Sequence, residues 1–450
     1  MSFPRQPQLP NRKVHIQTFG CQMNEYDTDK MLEVLRHQNY SSTQDSEEAD
    51  LILLNTCSVR EKAEHKVYSL LGRLRQLKQK NPSLVIGVGG CVAQQEGINI
   101  LKRAPGVDLV FGTDNLFDLP EMLVKVQRGE RVVQTERKAH KQKVRNFIPE
   151  YTFGQGIPGI KAHISITKGC NNFCTFCIVP ITRGLEVSRE PDDILEEAKQ
   201  LVFTGTKEIL LLGQNVNSYQ AQGVDFVELL TRLDGIEGLE RLRFISPHPK
   251  DLNESLAKAF RDLPSLCEHM HLPLQAGSNE VLKRMRRHYT LEEYLEKVDL
   301  LRGYVPDIAL STDLIMGFPG ETEKDFQKTI EALEAIRYDQ LYAFKYSPRP
   351  GTPAATYEDQ LEDSVKVDRL RVVLETHERF QSEKCRQLIG TDQEVLIEGV
   401  HPKEQKSHLG RTRRNYSVMI QNCDAKPGDV LNVRIMETKQ HSLIAEPCHS

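Results

Sequence analysis

The sequence alternates short β-rich runs with longer amphipathic segments, and this alternation limits the fold more than any other feature. Strand followed by helix, repeated along the chain, favours a parallel sheet with right-handed crossovers. The sequence therefore predicts an N-terminal parallel α/β domain over residues 12–130. Its strands are predicted at Val14–Phe19, Leu51–Thr56, Leu84–Gly90 and Val107–Phe111.

A second alternating series begins after a basic stretch at residues 131–155. That stretch is either a solvated linker or an arm that contacts phosphate, and its cations are Arg137, Lys138, Lys141, Lys143 and Arg145. Six strand–helix units are two fewer than an eight-stranded barrel contains, so residues 156–387 are predicted to form an open, partial (β/α)6 barrel. The six strands are predicted at His163–Thr167, Glu208–Leu212, Arg241–Ile245, His269–Leu274, Asp307–Leu314 and Leu341–Tyr346.

The last 63 residues, 388–450, change to short alternating strands separated by turns. Strands are predicted at Gln393–Glu398, Tyr416–Gln421, Val430–Met436 and Ser442–Ala445. A segment of this size and pattern is typical of a small β-barrel of the oligonucleotide-binding type. The predicted fold class is therefore α/β, with a small β-barrel at the C-terminus.

Composition excludes several other classes of protein. A chain of 450 residues is too long for one hydrophobic core. It has no apolar run of about 20 residues that would span a membrane, and no secretory signal is evident, so we expect a cytoplasmic protein. The formal charge of -4 provides no overall basic field for a nucleic acid. In the cytoplasm the 10 cysteines are expected to be metal ligands or free thiols.

The densest chemical signal is a Cys-x3-Cys-x2-Cys run formed by Cys170, Cys174 and Cys177. It directly follows the first predicted barrel strand, and the carboxyl ends of barrel strands form the active-site face. A closed zinc site needs four ligands and no fourth is nearby, whereas an iron–sulfur cluster is held by cysteine thiolates. The run favours an iron–sulfur cluster, with zinc or a buried thiol cluster as the alternative.

Three more cysteines stand just past the ends of predicted strands. Cys21, Cys57 and Cys91 are 36 and 34 residues apart. The carboxyl ends of parallel strands meet at one edge of a sheet, which is where open α/β sheets bind ligands. The alternative is three unrelated small hydrophobic residues, but their common phase favours a second metal cluster.

Both cysteine sets, in this order, resemble those of the radical S-adenosylmethionine (SAM) methylthiotransferases. The resemblance covers nearly the whole chain, through the segments QTFGCQMNEYD, LNTCSVREKAE, VGGCVAQ, KGCNNFCTFCIVPITRG, LLGQNVNSY, HLPLQAGS, STDLIMGFPGE and GRTRRN. The C-terminal module resembles the TRAM domain, which binds tRNA. Position 185 departs from the family pattern, because Leu185 stands where a polar residue is expected.

The resemblance implies two 4Fe-4S clusters, each with three cysteine ligands, and SAM. In these enzymes one SAM donates a methyl group to sulfur on the N-terminal cluster. A second SAM is cleaved to a 5′-deoxyadenosyl radical at the other cluster, where Phe176 matches the aromatic position beside the adenine. The target implied by the segments around Cys21 and Cys170 is the C-2 carbon of N(6)-isopentenyl-adenosine next to the tRNA anticodon. The alternatives are threonylcarbamoyl-adenosine in tRNA, a ribosomal protein, or a non-catalytic RNA-binding protein containing zinc.

Five polar residues are candidate contacts to SAM or nucleotide because each follows or ends a predicted barrel strand. Their alternative role is to satisfy backbone groups in the loops. The five are Gln214, Asn215, Gln275, Ser278 and Asp313.

The predicted partner is a tRNA anticodon stem-loop, whose unstacked bases can be splayed out and bound. A basic and aromatic patch in the C-terminal segment is the candidate RNA contact. Further expectations are an electron donor such as a flavodoxin or ferredoxin, and a monomer. The patch consists of Arg411, Arg413, Arg414 and Tyr416.

Overall fold

The computed structural model describes residues 11–58, 61–138, 159–404, 406–439 and 442–448, and the side chains of 61–65 are excluded. The chain divides into two compact units. Unit 1 combines the described residues up to 138 with two later segments, Lys168–Asn171 and Ile178–Arg189. Unit 2 contains the other described residues from 159 onward.

Unit 1 is built on one sheet of six parallel strands in the order β2-β1-β3-β4-β5-β6. The strands are β1 (Arg12–Thr18), β2 (Tyr40–Ser42), β3 (Leu51–Thr56), β4 (Val85–Gly90), β5 (Leu109–Phe111) and β6 (Val132–Gln134). The helices between them are α1 (Gln22–Arg36), α2 (Glu61–Lys80), α3 (Cys91–Glu96), α4 (Ile98–Arg103) and α5 (Leu119–Gln127). The predicted parallel α/β fold is confirmed.

Both faces of this sheet are buried, as its central strand shows. Strand β3 has the sequence LILLNT, and all six residues are buried. Because side chains alternate across a strand, Leu51 and Leu53 belong to one core while Ile52 and Leu54 belong to the core on the other face. A continuous apolar run is what a parallel strand covered on both sides requires. The ends of the strands are therefore the part of the sheet left for a site.

Two short strands of unit 1 were not predicted. Strands β2 and β6 have three residues each, which is too few for periodicity to reveal a strand. As a result, residues 132–134 belong to the sheet, although we expected a linker from 131. Lys138 forms an ion pair with Asp118 at 2.7 Å. Lys141, Lys143 and Arg145 lie outside the described residues.

Unit 2 contains the six predicted parallel strands in two three-stranded sheets, ordered β7-β10-β13 and β14-β15-β16. A parallel bridge between Leu242 and Leu266 connects the two sheets at their adjoining edges. The strands from here to the end of this region are β7 (Lys161–Ser165), β8 (Thr167–Lys168), β9 (Val187–Ser188), β10 (Glu208–Leu212), β11 (Gln220–Ala221), β12 (Val224–Asp225), β13 (Arg241–Phe244), β14 (His269–His271), β15 (Ala309–Met316) and β16 (Gln340–Lys345).

Helices pack on one side of these six strands and form the largest core of the protein. Leu211, Met270 and Leu310 of the strands belong to the same buried cluster as Leu229 and Leu333 of the helices. The helices are α6 (Val179–Thr182, in unit 1), α7 (Pro191–Phe203), α8 (Phe226–Asp234), α9 (Glu254–Asp262), α10 (Asn279–Met285), α11 (Leu291–Tyr304), α12 (Glu323–Ile336) and α13 (Asp363–Gln387).

The C-terminal strands close into a five-stranded barrel in the order β17-β18-β19-β21-β20. The strands are β17 (Asp392–Val400), β18 (His408–Thr412), β19 (Ser417–Ile420), β20 (Val430–Lys439) and β21 (Ser442–Pro447). The predicted small β-barrel is confirmed, but strand β18 was missed. Its sequence, HLGRT, lacks apolar alternation, and Gly410 is needed because a Cβ there would lie 2.7 Å from the carbonyl oxygen of Leu396.

None of the described helices combines the length and the apolar character that a membrane span requires.

Gly90 generates a prediction about the edge of the unit 1 sheet. It has φ 91° and ψ -158°, and a Cβ there would lie 2.6 Å from Asn55 Oδ1. We expect Gly90→Ala to destabilise unit 1 by about 1–3 kcal/mol, because the residue would be strained and crowded. Gly72→Ala is the matched control, since that helical glycine has no neighbour within 4 Å and alanine is the better helix former. Thermal unfolding of the two apo variants measures the difference, and equal midpoints would contradict the prediction.

Candidate functional site

The topology of unit 1 brings three cysteines to one edge of its sheet. Strands β1, β3 and β4 are neighbours and parallel. Cys21 lies three residues past β1, Cys57 directly follows β3, and Cys91 directly follows β4 as the first residue of α3. Cys57 is 1% exposed and Cys91 5%. The three thiols therefore belong to one edge although 70 residues separate the first from the last.

Glycines allow the backbone to approach these cysteines closely. Gly20 has φ 117°, and a Cβ there would lie 2.7 Å from Cys57 Sγ. Any larger residue at Gly20 would occupy the space into which the thiol of Cys57 projects. A cradle of this kind suits a bulky group held by thiolates, which is the form of ligand that iron–sulfur clusters take from cysteine.

The thiol of Cys21 is prepared for ligation. A hydrogen bond with Cys57 lowers the pKa of Cys21 to about 6; burial opposes this shift and the positive charge of Arg183 adds to it. Since the thiolate is the form that binds metal, Cys21 is deprotonated at neutral pH without help from the metal.

Asn24 connects two of the cysteine loops. It is fully buried, and its Nδ2 donates to the carbonyl oxygens of Phe19 at 2.8 Å and Thr56 at 3.0 Å. Its backbone N–H donates to the carbonyl of Cys21 at 2.8 Å, and its own carbonyl accepts from Asn55 Nδ2 at 2.7 Å. These bonds fix the loops that precede Cys21 and Cys57 relative to each other.

Two buried cations of unit 1 were not identified from the sequence. Arg183 Nη2 donates to Asn24 Oδ1 at 3.0 Å and to Asp27 Oδ2 at 2.8 Å. Lys168 Nζ pairs with Asp114 at 2.9 Å and donates to the carbonyl of Thr113 at 2.7 Å. Both residues flank the Cys-x3-Cys-x2-Cys run in sequence, which was the available signal. Their partners lie more than 50 residues away along the chain, so the sequence could not reveal them.

The second cysteine set lies on the loop that follows strand β8. Cys170 belongs to the Lys168–Asn171 segment of unit 1, and its N–H donates to the carbonyl of Gly184 at 3.1 Å. Cys174 and Cys177 belong to unit 2, where the N–H of Cys177 donates to the carbonyl of Cys174 at 3.0 Å. Phe176 is partly buried against the core of unit 2. Its predicted contact with adenine stays a prediction.

Arg287 is a second functional candidate that sequence reasoning missed. It is buried in unit 2, and its Nη1 donates to Cys174 Sγ at 3.4 Å. Its Nη2 donates to the carbonyl of Pro273 at 3.1 Å, and its Nε donates to the hydroxyl of Tyr289 at 3.0 Å. These bonds hold a permanent positive charge beside the middle cysteine of the run, where it stabilises a thiolate.

Two of the five candidate SAM or nucleotide residues have an unpartnered acceptor. Asn215 donates from Nδ2 to Asp251 at 2.8 Å, while its buried Oδ1 has no partner among the described residues. Gln275 has φ 71°, and its buried Oε1 also lacks a partner in the described part of the chain. Gln214, which follows β10, is partly buried.

The other two candidates differ in what they can do. Asp313 on β15 lies 3.5 Å from Nε2 of His271 on β14 and remains partly exposed. Ser278 is fully buried, and its hydroxyl donates to Asp325 at 2.5 Å. Its donor is used within the protein, and its predicted contact with SAM or nucleotide stays a prediction. Ser278 is also the residue that precedes α10.

Aromatic side chains lie on the same sheet face as Asp313. In the register of β15 and β16, Asp313 pairs with Tyr342 and Ile315 pairs with Phe344. The Tyr342 ring lies 6.0 Å from the His271 ring, centroid to centroid, and is 48% exposed. Tyr342 and Phe344 were not among the candidates identified from the sequence. The combination of a carboxylate, an imidazole and an exposed phenol suits a planar, hydrogen-bonding ligand.

Most side chains of the predicted RNA-binding patch form hydrogen bonds or ion pairs with other residues of unit 2. Arg413 Nη2 pairs with Glu268 at 2.9 Å and donates to the carbonyl of Leu266 at 3.0 Å. Tyr416 is 8% exposed, and its hydroxyl donates to Asp339. The predicted RNA contact of Tyr416 stays a prediction.

Arg411 and Arg414 complete the patch. Arg411 Nε pairs with Glu398 at 3.1 Å, whereas Arg414 Nη2 makes one 3.3 Å bond to Gln393. From the other side, Arg243 Nη2 donates to the carbonyl of Thr412 at 2.9 Å. The Arg243 bond attaches the C-terminal barrel to the rest of unit 2, whereas the bonds of Arg411 and Arg414 lie within the barrel. Arg411 and Arg414 keep partial exposure and stay predicted RNA contacts.

All ten cysteines are free thiols. Within the described residues, no group of three or more His, Cys, Asp or Glu side chains is arranged to hold a single metal ion. A mononuclear zinc site, with sulfur atoms about 2.3 Å from one ion, is therefore not preformed in that part of the chain.

The lowered pKa of Cys21 generates a prediction for the apo protein. Alkylation of Cys21 by iodoacetamide should reach half its maximal rate near pH 6, because the thiolate is the nucleophile. In Cys57→Ala the midpoint should rise toward the ordinary value of 9, since the hydrogen bond with Cys57 is the largest cause of the shift. Peptide mass spectrometry at a series of pH values measures this, with Cys423→Ala as control. An unchanged midpoint in Cys57→Ala would contradict the assignment.

Three family models match the chain. Residues 13–112 match the uncharacterized protein family UPF0004, residues 164–333 the radical SAM superfamily, and residues 386–448 the TRAM domain. The match to the radical SAM superfamily implies a 4Fe-4S cluster and SAM.

Relatives of known name match along almost the whole length. The chain is 46% identical over 444 residues to the tRNA-2-methylthio-N(6)-dimethylallyladenosine synthase of Clostridium botulinum, covering 96% of this chain and 94% of that protein. It is 45% identical over 436 residues to the synthase of the same name from Thermodesulfovibrio yellowstonii, covering 97% and 98%. Among solved structures, the radical SAM methyltransferase TsrM from Kitasatospora setae, with cobalamin and a [4Fe-4S] cluster bound, has a similar fold, with a TM-score of 0.57, 15% identity and coverage of 77% and 74%. The chain belongs to the tRNA-2-methylthio-N(6)-dimethylallyladenosine synthase family of radical SAM methylthiotransferases.

Proposed function

We propose that this protein attaches a methylthio group to the C-2 carbon of N(6)-isopentenyl-adenosine, next to the anticodon in tRNA. SAM serves both as the methyl donor and as the radical source. The observation that carries the proposal is that one chain combines cysteines at a sheet edge with a Cys-x3-Cys-x2-Cys loop in a six-stranded barrel and relatives of this specificity over its whole length.

Two 4Fe-4S clusters fit the two cysteine sets. Cys170, Cys174 and Cys177 are the proposed ligands of the cluster that faces SAM, and Cys21, Cys57 and Cys91 are the proposed ligands of the second cluster. When bound, the clusters and SAM supply the electron, the radical chemistry and the sulfur. Such cofactors are needed because the C–H bond of an aromatic ring is too weakly acidic for a side-chain base working near neutral pH.

The residues of unit 1 hold three anionic ligands together. Gly20 gives the Cys57 thiol room, and Asn24 fixes the loops that precede Cys21 and Cys57. Arg183 offsets part of the negative charge at this edge. These groups thus reduce the electrostatic repulsion between thiolates that are held close together.

The residues of unit 2 bind and orient the substrates. Arg287 donates to Cys174, while Asn215 and Gln275 present acceptors at the ends of strands β10 and β14. We assign the face formed by His271, Asp313 and Tyr342 to the adenine base. A flat base can stack on an exposed aromatic ring while a carboxylate accepts from its ring edge.

The proposed partner is a tRNA anticodon stem-loop, bound in part by the TRAM barrel. Arg414 is the member of the original patch with the weakest internal bond, which leaves it the best suited to a phosphate. An electron donor of the flavodoxin or ferredoxin class and a monomeric state complete the proposal.

The substrate is tested by the nucleosides of tRNA from a strain that lacks this gene. We expect the methylthio group to disappear from isopentenyl-adenosine and to return when the gene is restored, because no other step of the proposal supplies it. Liquid chromatography with mass spectrometry measures both forms. Loss of the group from threonylcarbamoyl-adenosine instead, or from a ribosomal protein with unchanged tRNA, would contradict the proposed substrate.

The division of work between the cysteine sets is tested by two variants of the full chain. Cys174→Ala should lower SAM cleavage to 5′-deoxyadenosine by at least a hundredfold, because a ligand of the SAM-facing cluster is lost. Cys57→Ala should retain SAM cleavage while methylthiolated product disappears. Cys267→Ala is the matched control, since this buried cysteine belongs to neither set. Equal loss of SAM cleavage in Cys57→Ala and Cys174→Ala would show that the two sets do not act separately.

A further inference from the structure

The contacts of Arg183 in unit 1 leave part of its side chain without a partner in the part of the chain that the structure describes. It follows the third cysteine of the Cys-x3-Cys-x2-Cys run by six residues, yet it packs against the first helix of the chain. Its backbone N–H donates to Val179 at 2.7 Å at the end of α6, and the adjacent carbonyl of Thr182 accepts from Thr113 Oγ1 at 2.8 Å. The side chain is 4% exposed, so its position is set by packing on all sides.

One terminal nitrogen of the guanidinium, Nη2, has hydrogen-bond partners within the protein. Nη2 donates to Asn24 Oδ1 at 3.0 Å and to Asp27 Oδ2 at 2.8 Å. Asn24 is the residue whose other bonds fix the loops that lead to Cys21 and Cys57. Arg183 is thus connected to both loops through its hydrogen bond to Asn24.

The other terminal nitrogen, Nη1, has no such partner in the described chain. Arg183 Nη1 is buried and has no hydrogen-bond partner among the described residues. Leaving a buried donor unpaired costs free energy, more so when the group is charged, and native structures rarely keep one without a reason. Nearly all such groups have a partner when the molecule is complete.

The bonds of Asn24 place this unpaired donor near the cysteine edge, because Asn24 accepts from Arg183 and its own N–H donates to the carbonyl of Cys21 at 2.8 Å. Helix α6, which Arg183 directly follows, contacts helix α3, whose first residue is Cys91. Lys168, which also lies in unit 1, is paired with Asp114.

We propose that Arg183 is a positioning residue for the group held by Cys21, Cys57 and Cys91, with Nη1 donating a charge-assisted hydrogen bond to an anionic sulfur of that group. The inference rests on the proposed second cluster and adds to it a residue that no cysteine pattern assigns. A guanidinium donates strongly to anions and stays charged at every working pH, so the bond does not switch off. A fixed positive charge beside the group stabilises its reduced, more negative form, since hydrogen bonds to the sulfurs help set the potential of a cluster.

The test measures the reduction potential of the N-terminal cluster alone. In the full chain, Cys170, Cys174 and Cys177 are changed to alanine, so that iron bound after anaerobic reconstitution is at the other set. Arg183→Gln in this background should lower the reduced-to-oxidised ratio at a fixed potential about tenfold, which is about 59 mV for one electron. Arg183→Lys should retain most of the wild-type potential, because it keeps the charge. Potentiometric titration followed by electron paramagnetic resonance measures each variant.

Two further variants separate positioning from folding. Asp27→Asn removes a negative charge from the same site, so it should shift the potential upward, opposite to Arg183→Gln. Arg131→Gln is the control, because this arginine donates to the carbonyls of Val107 and Leu101 before the amino ends of the strands. A folding defect would move Arg183→Gln and Asp27→Asn in the same direction, and that result would overturn the proposal.

The remaining outcomes also decide the question. A potential in Arg183→Gln equal to that of Arg131→Gln would overturn the role of Arg183 while leaving the cluster intact. If Arg183→Gln keeps its circular dichroism but loses iron that Arg183→Lys retains, the positive charge is needed to hold the group, which supports the proposal. Absence of iron in the parent triple variant would instead contradict the proposed second cluster itself.

Discussion

The parallel pairing of β1, β3 and β4 is the constraint on which the rest of the N-terminal site depends. Parallel strands joined by helical crossovers all end at one edge, so the chain returns there every 34 to 36 residues with a cysteine. The buried alternation of Leu51 to Leu54 specifies this register, because a slip by one residue would exchange the two cores. Packing far from the thiols therefore determines which cysteines share this edge.

Electrostatics then opposes the assembly that topology produces. The lowered pKa of Cys21 favours a negative charge at this edge at neutral pH. Buried hydrogen bonds from Asn24 hold the loops in place, and the positive charge of Arg183 offsets negative charge at this edge. In unit 2, Arg287 has the corresponding place beside Cys174. In each unit, then, a permanently charged arginine lies in the surroundings of a cysteine that we propose as a cluster ligand.

The sequence predicted the features that depend on local pattern. The six barrel strands, the parallel sheet and the strand-end position of three cysteines follow from periodicity and spacing. Strands β2, β6 and β18 were missed because they are short or lack apolar alternation. Arg183 and Arg287 were missed because their partners, Asn24 and Cys174, are more than 100 residues away. The burial of Tyr416 was not evident either, since pattern alone does not reveal Asp339 as its partner.

Buried polar atoms without partners connect these observations to function. Asn55 Oδ1 lies at the end of β3, Asn215 Oδ1 follows β10, and Gln275 Oε1 follows β14. All three stand at carboxyl ends of parallel strands, the edge at which such folds bind ligands. Unpartnered buried atoms also occur away from these ends in the described chain, such as Arg241 Nε and Arg369 Nε. Position, together with the missing partner, therefore makes Asn55, Asn215 and Gln275 the acceptors best placed to contact a ligand.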